Sequence, residues 1–258
     1  MVVDVKVDGA SVYFPQRRQK VRRRMLSGNR VGGDVVEYRN RPHVAALQGI
    51  DLNLEAGCRV GLVGHNGGGK TTLLRTIAGV YTPTEGDATV RGRVSTLFSN
   101  AVALSEYDTG RANLELAGLL NGLSAREVRQ TLPEAVELAG LAAYVDDPIV
   151  SYSEGMKTRL GFAMAVLTKP DILLIDEILN ASDWAFLDQI RNNITALNSP
   201  DHILVIASHS RELLRHLCDE AIELERGRIK RRGTVESVFS AMDDDRARVA
   251  EWTDEPAK

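Results

Sequence analysis

Residues 59–79 read RVGLVGHNGGGKTTLLRTIAG, and this stretch decides the fold. RVGLV is a nearly continuous apolar run, as expected of a strand buried on both faces of a parallel sheet. GKTTLLRTIAG has the pattern of a helix, with Gly79 as its C-terminal cap. Between them, Gly64 is followed by four residues and then by Gly69, Lys70 and Thr71, which is the P-loop spacing in its strand-to-helix context. Glycines let the backbone curl so that its N–H groups converge on phosphate oxygens, and the helix N-terminus adds partial positive charge. The expected cradle for a nucleotide's phosphates is Gly64, Asn66, Gly67, Gly68, Gly69, Lys70, Thr71 and Thr72. In such a loop the lysine reaches the β- and γ-phosphates and the Thr71 hydroxyl binds Mg²⁺. A P-loop does not choose a reaction, because small-molecule kinases, GTPases, motors and transporter ATPases all use one. The chain has no NKxD-like segment to select a guanine base.

Two more apolar strands lie downstream. DILLIDE ends in Asp176 and Glu177, and HILVIAS is followed by His209. An aspartate at the end of such a strand can hold Mg²⁺, often through water, and the adjacent Glu177 can polarise the attacking water as a general base. Parallel strands deliver residues to one shared ligand edge, which places His209 within reach of the γ-phosphate.

The rest of the chain divides by pattern. VDVKVDGASVYF alternates apolar and polar residues, and strand-like segments return at VVEYR and HVAALQGIDLNLEAG. After about Asn100 the pattern turns helical. SAREVRQTLPEAVELAG opens with Ser124 and Glu127 in capping-box spacing. YSEGM, residues 152–156, stands at the mouth of the helical run KTRLGFAMAVL, which Pro170 ends. AIELERGRIKRRG reads as a terminal hairpin. The expected fold class is α/β, a single domain over 1–258. It has a P-loop core (1–99 and 169–241) with a β-rich flank, a helical lobe at about 100–168, and a tail from 242 to 258.

The 258 residues are 43% apolar and 26% charged, ordinary for a globular protein, and the net charge of −3 gives no global pull toward nucleic acid or anionic lipid. Cys58 and Cys218 match no metal or redox spacing and read as reduced core thiols of a cytosolic protein. No apolar run approaches the ~18 residues of a membrane span, and the N-terminus lacks the layout of a secretion signal. Arg17–Arg30, RRQKVRRRMLSGNR, carries seven cations and no acid. It reads either as a solvated face or as a segment lying against an anionic inner leaflet, where each cation contributes about 1 kcal/mol. Nucleic acid is the weaker partner, since no aromatic interrupts the run to stack on bases.

The order P-loop, YSEGM, LLIDE and SH resembles the nucleotide-binding subunits of ABC transporters, from Val5 to about Ala241. The resemblance implies a head-to-tail homodimer in which Ser153 and the Gly155 backbone close over ATP held by the partner's phosphate loop. It also implies two copies of a separate transmembrane permease and a peripheral location on the cytoplasmic face of the cell membrane. The YSEGM signature, in place of LSGGQ, and the insertion before VVEYR are similar to the ATPases of polysaccharide exporters. Those move lipid-linked O-antigen, teichoic acid, capsule or galactan chains. In the same family an aromatic near the first strand stacks on adenine, a role for Tyr13 with Phe14 as its competitor. The position that usually carries Gln or Glu near Mg²⁺ falls on Ser99, whose shorter side chain reaches the metal only through water. ILNASD replaces the more usual small-residue segment after Glu177, and Glu154 is expected to point away from the triphosphate. The alternatives are a soluble ABC ATPase uncoupled from transport and a P-loop small-molecule kinase, which would lack the signature.

Overall fold

Two kinds of apolar pattern build two sheets. The computed structural model describes residues 2–16, 33–98, 105–177, 186 and 202–253. The alternating segments form an antiparallel sheet of β1 (Asp4–Pro15), β2 (Asp34–Tyr38), β3 (Arg41–Glu55) and β5 (Glu85–Arg91), in the order β2-β3-β1-β5. Along β1, Val5 and Val7 are buried while Lys6 and Asp8 face water, the period of two that one covered face requires.

The continuous apolar runs form the second sheet. Its strands are β4 (Arg59–Val63), β6 (Val94–Leu97), β7 (Ile172–Asp176), β8 (Ile203–Ala207), β9 (Glu220–Glu225) and β10 (Arg228–Thr234), in the order β10-β9-β4-β8-β7-β6. Only β10 runs antiparallel, as the second arm of the expected hairpin with β9. Every residue of β7 and β8 is buried because both faces are covered. Ile172 and Leu174 join the core between the sheets, with Leu73, Leu74 and Ile77 of helix α1 (Lys70–Ile77). Leu173 and Ile175 face the opposite core, with Phe162, Leu213 and Leu214.

The helical lobe consists of α2 (Gly110–Leu120), α3 (Ala125–Ala139) and α4 (Glu154–Val166), around a core of its own that includes Leu114, Val136, Leu160 and Met164. The capping box that opens α3 forms as expected: Ser124 accepts from the Glu127 amide while Glu127 accepts from the Ser124 amide. Helix α5 (Arg211–Leu217) covers the parallel sheet next to α6 (Val235–Thr253).

The tail expected from residue 242 continues α6 instead. Val235, Val238 and Met242 recur at helical spacing and are buried in the core. Ion pairs hold the polar side: Glu236 binds Arg211 and Arg215, and Asp245 binds Lys230 and Arg231. The charged run after Met242 hides that apolar stripe from a pattern reading. Both cysteines are free thiols; Cys218 is buried, which pushes its thiol far above the ordinary range, and Cys58 is half-buried. Arg17–Arg30, Ser99 and residues 178–183 lie outside the described residues.

Candidate functional site

Sheet order explains how residues far apart in sequence meet. Strand β8 lies between β4 and β7, and all three run parallel, so their C-terminal ends emerge side by side. Leu62 and Asp176 are both level with Ala207. The alignment continues one step past the strands: the Ser208 amide donates to the Leu62 carbonyl (3.2 Å) and the Glu177 amide to the Ala207 carbonyl (2.9 Å). The phosphate loop, Asp176–Glu177 and His209 therefore open on one edge, as parallel-sheet ligand sites do.

At that edge α1 starts without a side-chain cap, because its first flanking residue is Gly69, at φ 113°. Among the described residues, the other α-helices are capped by the hydroxyls of Thr109, Ser124, Ser153, Ser210 and Thr234. Uncapped first-turn amides need an acceptor, and here they meet open space suited to an anion. A cavity of about 440 Å³ lies over them. Asn66, Gly67, Gly69, Lys70, Thr71 and Thr72 line its phosphate side, and Phe14, Val44 and Ala46 line another part. Gly64 and Gly68 support the loop from beneath, where a β-carbon would stand 2.1 Å and 2.8 Å from the Leu224 carbonyl oxygen.

Lys70 is buried, and its ammonium donates to the Gly64 carbonyl (2.9 Å). It also pairs with Glu177 Oε1 at 3.3 Å. His209 Nε2 lies 3.0 Å from Asn66 Oδ1, 3.2 Å from Glu177 Oε1 and 3.3 Å from Lys70 Nζ. A protonated Nε2 donates to the two oxygens, and the lysine contact is then a close approach rather than a hydrogen bond. Glu177 has φ 48°, a left-handed conformation that is strained for a residue with a β-carbon. That turn places an acid directly after the buried strand, with its side chain 38% exposed and within reach of water.

Asp176 differs sharply from its neighbour. It is buried, its Oδ1 has no hydrogen-bond partner, and burial raises its carboxyl above the usual carboxylate range despite a hydrogen bond from Thr71. An orphaned carboxylate oxygen beside a threonine hydroxyl and a phosphate cradle fits Mg²⁺, which binds through one or two protein oxygens plus substrate phosphates. Among the described residues no cluster of three His, Cys, Asp or Glu side chains forms a self-sufficient metal site.

Three expected residues stand apart from the cavity. The Tyr13 hydroxyl donates to Glu85 (2.9 Å) and its ring tilts against Tyr38, while its neighbour Phe14 lines the cavity and packs edge-on against Tyr81. Ser153 and Gly155 are not among the lining residues either. Ser153 is exposed and caps α4 by accepting from the Met156 amide at 3.3 Å. A β-carbon on Gly155 would meet only the Ser153 hydroxyl, 3.9 Å away. Glu154 points outward, 86% exposed, and pairs with Lys157 at 3.3 Å. Tyr152 is buried beneath this mouth, its hydroxyl donating to the Tyr144 carbonyl (2.6 Å).

The sequence reading missed Val44, Ala46 and the Leu224 carbonyl as parts of the site. Val44 and Ala46 lie on a flanking strand with no chemical signal, and Leu224 contributes only backbone. Among the described residues no helix is long and apolar enough to cross a membrane.

Residues 47–180 match the family model described as ABC transporter. The chain is 35% identical over 199 residues to the teichoic acids export ATP-binding protein TagH of Listeria monocytogenes, an alignment covering 77% of this chain and 59% of that protein. It is 37% identical over 206 residues to the O-antigen export system ATP-binding protein RfbE of Yersinia enterocolitica, covering 80% and 85%. The chain thus spans 59% of the length of the Listeria relative. In architecture it is similar to the ATP-binding cassette MJ0796 in a dimeric post-hydrolysis state bound to ADP and Pi, with a TM-score of 0.73, 20% identity, and coverage of 90% and 98%.

Proposed function

The chain belongs to the ABC transporter family, and from that premise we propose that it is the ATP-hydrolysing subunit of an exporter for a lipid-linked polysaccharide. The single observation that carries the mechanism is that one chain carries two unlike helix mouths. One, at α1, is uncapped, enclosed and furnished with Lys70, Glu177 and His209. The other, at α4, presents an exposed Ser153 and a half-buried Gly155 with open space where a β-carbon would stand. A phosphate loop that covers one side of a triphosphate and an exposed serine-glycine mouth complete each other when two copies pack head to tail.

In this reading the α1 amides and Lys70 bind the phosphates of ATP, and Phe14, Val44 and Ala46 are the surface nearest the base. The triphosphate competes with Glu177 for Lys70. Glu177, released from that pair, accepts a proton from the attacking water. His209 holds the γ-phosphate, and Asn66 fixes its ring. Thr71 and Asp176 would hold Mg²⁺, which would supply positive charge to neutralise the phosphates. The partner's Ser153 hydroxyl and Gly155 amide close the far side. Binding then clasps the dimer and hydrolysis releases it, a two-state movement that drives a separate permease.

The O-antigen and teichoic acid names of the relatives, with the YSEGM signature, support a lipid-linked glycan as cargo and the cytoplasmic membrane face as the workplace. Arg17–Arg30 would add contact with anionic headgroups. Replacing Arg22, Arg23 and Arg24 with Gln is expected to cut transport and spare basal hydrolysis.

Mixing two inactive variants tests the shared site. Lys70→Ala and Ser153→Ala each fail alone, yet a mixed dimer rebuilds one intact site from Lys70 of one chain and Ser153 of the other. Recovered phosphate release on mixing supports the reading, and no recovery overturns it. Copurification with a multi-span membrane protein and its bound lipid tests the transport assignment.

A further inference from the structure

The turn between β9 and β10 lies against the phosphate loop. Arg226 and Gly227 occupy its two central positions, at φ 49° and 78°, the left-handed pair of a tight hairpin turn. The Gly227 amide donates to the Gly68 carbonyl of the phosphate loop at 2.8 Å. A β-carbon on Gly227 would stand 2.6 Å from the Ala46 carbonyl oxygen, so the turn is pressed between the loop and β3.

Gln48 holds this turn from the other side. It is a buried polar residue, 8% exposed, on a strand whose neighbouring inward positions are apolar. Its backbone amide donates to the Gly227 carbonyl (2.8 Å) and its side-chain amide to the Arg226 carbonyl (2.8 Å). Its side-chain oxygen accepts from Arg228 (2.9 Å). A weaker contact at 3.4 Å reaches Asp34, directly after Gly33 on the cavity wall. A buried amide is costly unless satisfied, and this one is satisfied almost wholly by one turn that touches one loop.

We propose that Gln48 and Arg228 are positioning residues for ATP, acting through the Arg226–Gly227 turn on Gly68. The proposal rests on the ATP-binding reading above. The brace fixes where the Gly68 carbonyl and the amides after it point, so that the loop meets the triphosphate already shaped. Its loss leaves the chemical groups in place and loosens the cradle.

Gln48→Met keeps the volume and removes all three side-chain hydrogen bonds, including the weak one to Asp34; Arg228→Gln removes one. The expected result for Gln48→Met is about a tenfold rise in the Kd for ATP, the worth of one or two buried hydrogen bonds, with kcat at saturating ATP within about twofold. Amide exchange should quicken in the peptide spanning 64–72 and remain unchanged in β7 and β8. Gly227→Ala is the harsher variant and is read only if its circular dichroism matches the unaltered protein. Unchanged ATP affinity in folded Gln48→Met and Arg228→Gln overturns the proposal while leaving the ATPase reading intact. So does exchange that quickens equally throughout the parallel sheet, which would mark a merely structural role. Failure of the unaltered protein to bind ATP overturns both.

Discussion

The mouths of α1 and α4 are both helix N-termini in one chain, yet they are built on opposite terms. At α1 the glycines are demanded by the chain's own packing: Gly64 has φ 132° and no room for a β-carbon against Leu224. At α4, Gly155 has open space around it, and nothing described in its own chain requires a glycine there. The first mouth leaves its amides free and surrounds them with Lys70, Thr71 and Glu177. The second caps its amide with Ser153 and faces water. On the proposed head-to-tail dimer, a glycine that its own fold does not need is available to a partner's phosphate.

The largest effect separating the mouths should come from Glu177→Gln. Removing the base should slow ATP hydrolysis at least about a hundredfold in a phosphate-release assay. ATP binding should survive, and a dimer should accumulate on size exclusion with ATP. A variant that hydrolyses normally would break the assignment.

The glycines provide the sharpest contrast. Gly64→Ala should destabilise the fold by at least about 2 kcal/mol in urea unfolding, because strain and a backbone clash coincide. Gly155→Ala should leave stability unchanged or raise it by up to about 1 kcal/mol, as alanine is the better helix former. It should nevertheless cut ATPase activity by about tenfold or more if, as proposed, the partner's phosphate docks where the new methyl stands. Equal losses of stability at both positions would mean that the two mouths do not differ in their need for glycine.

Ser153→Ala should remove the cap of α4 at a cost of about 1 kcal/mol and also lose hydrolysis. Ser153→Asp keeps a capping oxygen, so it should recover the stability and not the activity. Recovery of both would reduce Ser153 to a cap.

The smallest effect is a control at a residue that does not line the cavity. Hydrogen bonds from Arg215 and Arg211 hold the Glu236 carboxyl at about 2, below its ordinary 4.5. A depressed folded value means that its contribution is complete above pH 4.5 and fades as the pH falls towards 2. Glu236→Gln should therefore be less stable than the unaltered protein at pH 7 and indistinguishable from it near pH 2 in thermal melts. Its ATPase activity at neutral pH should be unchanged. A stability gap that persisted at pH 2 would show that the ion pairs are not its cause.

Much of this was legible in the chain because its chemistry is local. Gly64 to Thr72 is one turn, and Asp176–Glu177 and His209 each follow an apolar strand within two residues. The choice between Tyr13 and Phe14 was not legible. Adjacent strand residues face opposite ways, and a register shift at Val12–Tyr13 resets which one faces the cavity. The end of α6 was also hidden, because its apolar stripe is sparse and its ion pairs reach to β10 and α5.

The sequence by itself determined the phosphate loop, the acid-bearing strand, the histidine and the signature, since each is a short run whose spacing expresses its physics. Only the tertiary structure decided that Phe14 lines the cavity, that Gln48 clasps a turn 178 residues away against Gly68, and that Gly155 owes nothing to its own chain. Those facts depend on which strands pair and how close two backbones pass, and no local pattern of residues encodes a distance between segments.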